Sequence, residues 1–336
     1  MADKYTVISK VWMSATMSTT QGGWVQSAAI AGYCEGTIQD CLFTGEFTTT
    51  GTDGGLGGFY GYTGGSNPTI TNCLSTGTFN HGNWQGGGIH TNCYFTQYPT
   101  SLTTGCSWAT STTLSDGTIA TALQNNRAET VWVQDPLTNL PMLAVFAGKY
   151  TVPASGIGTF SAKANFTLPD GLKAYYCKNY DSEEGTIGVV AIKGVVPAET
   201  GVLLKGEPGE TYTLTTSNET PATVTGNALV AVTEQTIIAQ TAGDYTNFGL
   251  SGGVFKKVNS AGGTVKANRA YLHILTSALT AGAREISLVW DENVTGVTAV
   301  NGSGLTVHDY YDLQGRRVLN PTKGLYIVNG KMAIIK

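Results

Sequence analysis

An internal repeat near the start of the chain constrains its fold more than any other feature. The stretch AAIAGYCEGTIQDCLFTGEF (28–47) recurs, with a three-residue insertion, as GGFYGYTGGSNPTITNCLSTGTF (57–79), and GGGIHTNCYF (86–95) is a shortened third copy. Copies this short cannot exclude water alone, so they must bury their apolar residues by stacking on one another. The expected inward ladders are Ile38 over Ile70, and Cys41 over Cys73 and Cys93.

The repeats resemble the GLUG repeat. Its pattern runs from paired glycines and apolar residues to Gly-Thr-Ile, a polar residue, Asn-Cys and a closing glycine, and the match covers about residues 20–96. The first copy departs from it by carrying Ala28-Ala29 in place of two glycines, and the third lacks the Gly-Thr-Ile corner. The resemblance implies a β-solenoid of the kind found in bacterial cell-surface and secreted proteins.

Composition favours an all-β protein of several domains. Only 12% of the 336 residues are charged and 44 are glycine, which is typical of strands and tight turns rather than helices. Lys and Arg number 3 against 8 Asp and Glu in residues 1–147, 11 against 11 in 148–290, and 5 against 4 in 291–336. We therefore predict three domains with these boundaries: a β-solenoid with a C-terminal cap, an antiparallel β-sandwich, and a small C-terminal β-hairpin unit.

The predicted cap of the solenoid follows the third repeat. Residues 113–126 place Ile119 and Leu123 at helical spacing behind a Ser or Asp cap, which predicts a helix. Residues 131–146 predict two strands around a proline turn. We expect this segment to cover the open end of the solenoid, because uncovered strand edges invite aggregation.

The rest of the chain, from residue 148 onward, consists mainly of short apolar alternations separated by turns. Eight such segments between 157 and 290 favour an antiparallel sandwich, and VVPAETGVLLKG and ANRAYL resemble a β-sandwich module of Bacteroidetes surface proteins.

In the tail, strands 325–328 and 332–335 flank Asn329-Gly330, a strong hairpin signal. The tail from 310 to 336 resembles the sorting domains of type IX secretion, which implies a surface location.

Charge and hydropathy exclude several partners. A net charge of −4 gives no basic surface for nucleic acid or anionic membranes. No apolar run reaches the ~18 residues of a membrane-spanning helix, and the first 15 residues lack the pattern of a signal peptide. Since the resemblances imply an extracellular or outer-surface location, we expect that an upstream region carrying the signal has been removed.

Motifs for catalysis, metals and cofactors are missing from the sequence. A glycosidase needs two facing carboxylates, yet Asp40 and Glu46 have no acidic counterparts in the second repeat. His81 and His90 lack the ligand spacing of a zinc site and are interpreted as turn residues. We therefore predict no catalytic residues, no metal and no cofactor.

The cysteines and their neighbours are given structural roles. The Asp or Asn before each repeat cysteine suits a corner, where its side chain bonds nearby backbone amides. Side chains that point in parallel from adjacent rungs seldom meet the dihedral angle of a disulfide, so we predict that the six cysteines are free thiols.

Aromatic residues beside the glycine turns are the candidate ligand-binding residues. Flat, exposed rings stack on sugars or on protein surfaces, although some of these rings must serve the core instead. The candidates are Trp24, Tyr33, Tyr60, Tyr62 and Trp84.

The sequence thus favours a non-enzymatic secreted or cell-surface protein, an adhesin or a glycan- or protein-binding module displayed on a sandwich spacer. Its expected partner is a glycan or a host or bacterial surface protein. Two alternatives remain open. One is a carbohydrate-active enzyme, a polysaccharide lyase or hydrolase. The other is a structural subunit of a surface fibre or layer that self-associates through its solenoid ends.

Overall fold

The computed structural model describes residues 4–19, 27–49, 56–62, 65–80, 88–97, 104–290, 310–312, 316–318, 323–328 and 331–335. Strands make up 47% of the structure and helices 6%, which confirms the all-β prediction. The chain divides into two compact units, Met1–Val289 and Trp290–Lys336. The predicted boundary between residues 147 and 148 falls inside the first unit and stays a prediction.

The first part of the larger unit consists of short parallel strands stacked in successive rungs, here called the parallel stack. Its three main sheets have the strand orders β1-β6-β11-β14, β16-β15-β12-β7-β2 and β13-β8-β3, and two further parallel pairs are β5 with β10 and β4 with β9. The strands are β1 (Val7–Ser9), β2 (Trp12–Met13), β3 (Thr16–Thr19), β4 (Ser27–Ala28), β5 (Ala31–Tyr33), β6 (Thr37–Gln39), β7 (Leu42–Phe43), β8 (Glu46–Thr49), β9 (Leu56–Gly57), β10 (Tyr60–Tyr62), β11 (Thr69–Thr71), β12 (Leu74–Ser75), β13 (Thr78–Phe79), β14 (Ile89–Thr91), β15 (Cys93–Phe95) and β16 (Cys106–Trp108).

Equivalent residues of successive repeats are in register, as the sequence predicts. Ile38 pairs with Ile70, and the amide of Leu74 donates to the carbonyl of Cys41, which aligns Cys41 with Cys73. The amide of Tyr94 likewise donates to Cys73 and extends the ladder to the third copy. The apolar ladders meet in a buried core that also holds Cys34, Phe59, Tyr60 and Phe95.

One corner of the stack has a left-handed backbone at every rung. Non-glycine residues with φ of 52° to 57° occupy four successive rungs there, and Gly105 (φ 84°) occupies the last. A Cβ on Gly105 would also collide with the carbonyl of His90. Asp and Asn tolerate this conformation better than most residues, which explains their place before the cysteines. The four are Lys10, Asp40, Asn72 and Asn92.

The segment after the stack, here called the lateral segment, consists of α1 (Ser111–Ser115), α2 (Thr118–Gln124) and the antiparallel strands β17 (Trp132–Asp135) and β18 (Leu140–Leu143). The predicted helix and strand pair are confirmed, with Ile119 and Leu123 buried. The segment packs across the side of the stack, because Leu42 and Leu74 on adjacent rungs point outward and share one buried cluster with it. The expected cover over the open end of the stack stays a prediction.

Residues 148–290 are antiparallel, as predicted. Ten of their strands form one nearly closed, barrel-like sheet in the order β20-β24-β22-β23-β34-β31-β30-β33-β27, with β29 beside β30, and three more pairs flank it. A 3-10 turn covers Thr276–Ala278. The strands are β19 (Lys149–Thr151), β20 (Ile157–Phe160), β21 (Phe166–Thr167), β22 (Lys173–Asp181), β23 (Thr186–Ile192), β24 (Val202–Lys205), β25 (Thr211–Thr213), β26 (Thr215–Thr216), β27 (Leu229–Val232), β28 (Thr236–Ile238), β29 (Thr241–Ala242), β30 (Tyr245–Ser251), β31 (Val254–Lys257), β32 (Gly263–Val265), β33 (Arg269–Leu275) and β34 (Glu285–Trp290).

The barrel-like sheet is held by a core of its own. Phe160 and Phe166 meet edge to face with ring centroids 5.5 Å apart, and Val202 and Leu204 lie beside them in one buried cluster. The first strand, β20, does not complete a ladder with the other end of the sheet. A side chain bridges this seam instead: the Ser161 hydroxyl lies 3.0 and 2.8 Å from the carbonyls of Val232 and Arg269 and shares its one proton between them.

The smaller unit is a four-stranded antiparallel sheet in the order β36-β35-β37-β38. The predicted strand pair of the tail is present between Gly324–Val328 and Lys331–Ile335, while the Asn329-Gly330 turn lies outside the described residues. None of the helices in the described part of either unit is long and apolar enough to cross a membrane. The strands are β35 (Tyr310–Tyr311), β36 (Arg317–Val318), β37 (Gly324–Val328) and β38 (Lys331–Ile335).

Candidate functional site

Of the five aromatic residues predicted to bind a ligand, Tyr60 belongs to the core. Its side chain is 1% exposed, and its hydroxyl accepts a hydrogen bond from the amide of Gly88 at 2.8 Å. Burial raises the pKa of Tyr60 to about 12. A ring in this position cannot stack on a ligand in solvent, so Tyr60 does not contribute to a binding surface.

Two of the remaining four occupy neighbouring rungs. Tyr62 pairs with Tyr33 in the parallel ladder of β10 and β5, at the strand spacing of ~4.8 Å. The Tyr33 side chain is half-buried, and its hydroxyl donates to Glu35 at 2.6 Å. Trp24, Trp84 and the side chain of Tyr62 lie outside what the structure describes. Among the described residues, the structure therefore pairs Tyr33 with Tyr62 on adjacent strands through their backbones. Within that part of the chain it shows no shared binding surface for the five candidates.

A pair of exposed rings that the sequence did not single out lies at the first rung. Trp12 and Phe146 are 38% and 41% exposed, and their ring centroids are 5.5 Å apart at an angle of 55°. The Trp12 indole donates to the Thr44 hydroxyl at 2.9 Å, which fixes the ring. Val145, 60% exposed, precedes Phe146 in the chain. The pair joins residues 134 positions apart, and Trp12 stands before the first recognisable repeat, so no local pattern could reveal it.

Another exposed tryptophan lies on the opposite edge strand of the same five-stranded sheet. Trp108 pairs with Phe95 in the last rung, yet Phe95 is 1% exposed and Trp108 is 46% exposed. Both residues occupy the same ladder position. Trp108 is exposed because, among the described residues, no further rung covers it.

The acids that an enzymatic interpretation would use do not form a catalytic pair. Asp40 is 3% exposed and its carboxylate accepts hydrogen bonds from Arg127 at 2.9 Å and from the Trp132 indole at 3.1 Å. Glu46 is exposed on β8, whereas Asp40 lies at the corner between β6 and β7. These contacts give Asp40 a structural role in fixing the lateral segment to the stack.

The histidines and acids also fail to assemble a metal site in the part of the chain that the structure describes. His90 is buried on the inward ladder above Ile70 rather than in a turn, and its Nδ1 lies 3.0 Å from the carbonyl of Gly88. Burial lowers its pKa. His81 lies outside the described residues.

The thiols of the stack form a longer ladder than predicted. Cys106 pairs with Cys93 and adds a fourth thiol to the ladder, which the sequence missed because the last two rungs are only 13 residues apart. All six cysteines are free. The thiols of Cys41 and Cys73 lie 3.3 Å from the carbonyls of Gln39 and Thr71, two residues back. Burial raises the pKa of Cys73 well above its usual range, as expected for a core filler.

A groove of about 690 Å³ lies between the lateral segment and the strand that contains Thr215 and Thr216, and amide and hydroxyl side chains line it. Two of these amides already serve the backbone. Gln124 bonds four backbone groups, and the Gln134 amide donates to the carbonyls of Leu114 and Asn139. These two side chains therefore hold the lateral segment in place, and they leave the groove with fewer free hydrogen-bonding groups for a ligand than its composition suggests.

Comparison of the chain with protein-family models, with curated proteins and with solved structures finds no match.

Proposed function

We propose that the chain is a non-enzymatic, secreted or cell-surface binding protein. In this proposal the parallel stack is a β-solenoid of GLUG-type repeats that presents the binding surface. The curled antiparallel sheet of residues 148–290 is the sandwich-type spacer. The C-terminal sheet is a sorting or attachment unit of the Bacteroidetes type. The in-register parallel rungs and the antiparallel tail support these assignments.

The observation that carries the proposal is the exposed ring pair Trp12–Phe146 on the stack. Burying such rings is favourable, and a tilted pair held by a hydrogen bond to Thr44 loses little side-chain freedom on binding. Sugar faces and apolar protein surfaces are the partners that exposed rings bind. Tyr33 and Tyr62, on adjacent rungs, extend the aromatic content of the same stack.

An enzyme of polysaccharides is the competing function. It would need Asp40 or Glu46 as an acid, but Asp40 is committed to Arg127 and Trp132. A degradation screen in which wild-type protein cleaves a glycan, and Asp40→Asn or Glu46→Gln abolishes cleavage, would replace the proposal with the enzymatic one.

A glycan array tests the binding proposal. We expect wild-type protein to bind a defined set of glycans, and Trp12→Ala to weaken the affinity roughly five- to tenfold, because a stacked aromatic contributes about 1–1.4 kcal/mol. Trp108→Ala is the matched control: it removes an exposed tryptophan from the opposite edge strand and should leave binding unchanged. Trp84→Ala tests the sequence-based candidate in parallel. No binding to glycans, or equal loss in both Trp12 and Trp108 variants, would contradict the proposal.

A further inference from the structure

The seam of the barrel-like sheet opens into a cleft that the proposed function does not use. Its cavity volume is about 420 Å³, within the usual range of small-molecule sites. One wall is the edge strand β20 at Ile157 and Thr159, and the other is β33 at Arg269 and Tyr271. The hairpin around Leu250 and the residues Thr264 to Lys266 complete the lining.

The cleft is positively charged. Lys266 and Arg269 are its ionised residues, and its described lining holds no carboxylate. Neither cation forms an ion pair with a carboxylate in the described part of the chain. Arg269 is half-buried; its Nη1 donates to the carbonyl of Thr159 at 3.3 Å, and its guanidinium carbon lies 6.0 Å from the centroid of the Tyr150 ring. A guanidinium has five donors in a planar fork, so Arg269 keeps donors for an anion.

The backbone of β20 adds donors on the same side. Amide and carbonyl groups alternate direction along a strand, and Gly156 bonds toward β24 through its carbonyl. The groups of Ile157 and Thr159 therefore face the seam. Both carbonyls are already satisfied, since the Ser155 hydroxyl donates to Ile157 and Arg269 to Thr159. Their amides remain directed at the cleft as donors.

Beside these donors stands one aromatic ring. Tyr271 lies on the same face of β33 as Arg269, two residues away, and is partly buried. A cationic, donor-rich wall next to a ring matches a ligand that carries a carboxylate on a sugar: the carboxylate takes the charge-assisted bonds and the sugar face packs on the ring.

We propose that the seam cleft binds an acidic saccharide, with the carboxylate held by Lys266 and Arg269 and the sugar ring against Tyr271. The inference rests on the proposed function in one respect, the glycan nature of the ligand, but it uses a site separate from the aromatic rings of the stack. The chain thereby gains a second binding surface in the region proposed as a spacer.

Titration calorimetry with two matched probes tests the inference. One probe is a tetrasaccharide of alternating glucuronate and N-acetylglucosamine, and the other is the same tetrasaccharide with its carboxylates reduced to alcohols. Wild-type protein should bind the first probe at least tenfold more tightly, because charge-assisted hydrogen bonds contribute about 1.5 kcal/mol or more. Lys266→Gln should lower the affinity for the acidic probe roughly tenfold and should change the affinity for the reduced probe little.

Lys257→Gln is the matched control, since it removes an exposed lysine from β31 outside the cleft and should not change either affinity. Tyr271→Leu should weaken both probes. Lys266 is exposed, so its variant should fold normally, which the unfolding midpoint verifies. Equal affinity for the two probes, or an equal effect of Lys266→Gln and Lys257→Gln, would overturn the inference. The proposed function would still be supported in that case if Trp12→Ala weakened glycan binding on the array. A protein that binds the acidic probe at the cleft but no array glycan through Trp12 would support the inference and overturn the function assigned to the stack.

Discussion

Arg127 and Asp40, 87 residues apart in the chain, form an ion pair whose closest atoms are Nη1 and Oδ1 at 2.8 Å. Asp40 is almost fully buried, and the Trp132 indole donates to the same carboxylate. A buried charge without its partner is costly, because the interior solvates it poorly. The pair therefore links the lateral segment to the second rung of the stack.

Removing the cation of this pair should destabilise the protein. Arg127→Met keeps most of the aliphatic side chain but leaves the Asp40 carboxylate with the indole alone, so we expect the free energy of unfolding to fall by about 2 kcal/mol. Urea unfolding followed by tryptophan fluorescence measures the change. Glu129→Gln is the control, because it breaks the exposed Lys10–Glu129 pair between the same two regions and should have no measurable effect. Equal stability of the Arg127 variant and wild type would refute the structural role.

A second prediction concerns the corner of the first rung, where Lys10 has a φ of 57°. Equivalent rungs carry Asp40, Asn72, Asn92 and Gly105, all of which suit a left-handed backbone better than lysine. Lys10→Asn should therefore raise the free energy of unfolding by about 0.5–1 kcal/mol, since the left-handed conformation costs ordinary residues roughly 1–2 kcal/mol. Asn72→Lys is the reverse change and should lower stability. An unchanged or lower stability of Lys10→Asn would show that the corner is not strained.

The repeat could be predicted from the sequence because its signal is local and recurs. The offset of 32 residues between Cys41 and Cys73 fixes which residues share a ladder, and the pattern before each cysteine fixes the corner. The rung at Cys106 escaped prediction because its loop is much shorter and its corner residue is glycine, so the repeat pattern is no longer visible there.

Contacts between distant segments could not be predicted in this way. The glycine and proline turn at residues 205–210 predicts a hairpin loop between its flanking strands, yet β24 pairs with β20 and β22, whereas β25 pairs with β19. The exposed pair Trp12–Phe146 and the seam cleft both depend on such long-range placement. The burial of Tyr60 could not be predicted either, because a glycine turn beside an aromatic residue does not show whether the ring points into the core or into solvent.

The thiol ladder gives a third prediction. Cys106 is partly exposed, whereas the other five cysteines are buried, and burial raises the pKa of Cys177 to about 12. In native protein at neutral pH, iodoacetamide should therefore modify Cys106 first and the others only after denaturation. Mass spectrometry without reductant should count six alkylated cysteines in the unfolded chain. A count of four would reveal a disulfide and contradict the free ladder.

The last prediction concerns pH. His90 is 6% exposed on the inward ladder, and burial lowers its pKa from the ordinary value of 6.5. The folded protein therefore holds His90 neutral at pH values where the unfolded chain already binds the proton. Below about pH 6.5 the unfolded state binds more protons, so the free energy of unfolding should fall as pH falls, by at most about 1.4 kcal/mol per pH unit.

Replacing the imidazole of His90 separates its contribution to the pH dependence of stability from the contributions of other titrating groups. His90→Ile continues the ladder of Ile38 and Ile70 and should show a shallower loss of stability between pH 6.5 and 5 than wild type. Burial lowers the pKa of His273 in the same direction, so His273→Asn measures the contribution of the barrel-like sheet separately. Urea unfolding at half-unit pH intervals gives the slopes. Identical slopes for wild type and His90→Ile would mean that His90 is not held neutral by burial, because only a proton taken up differently by the folded and unfolded states changes stability with pH.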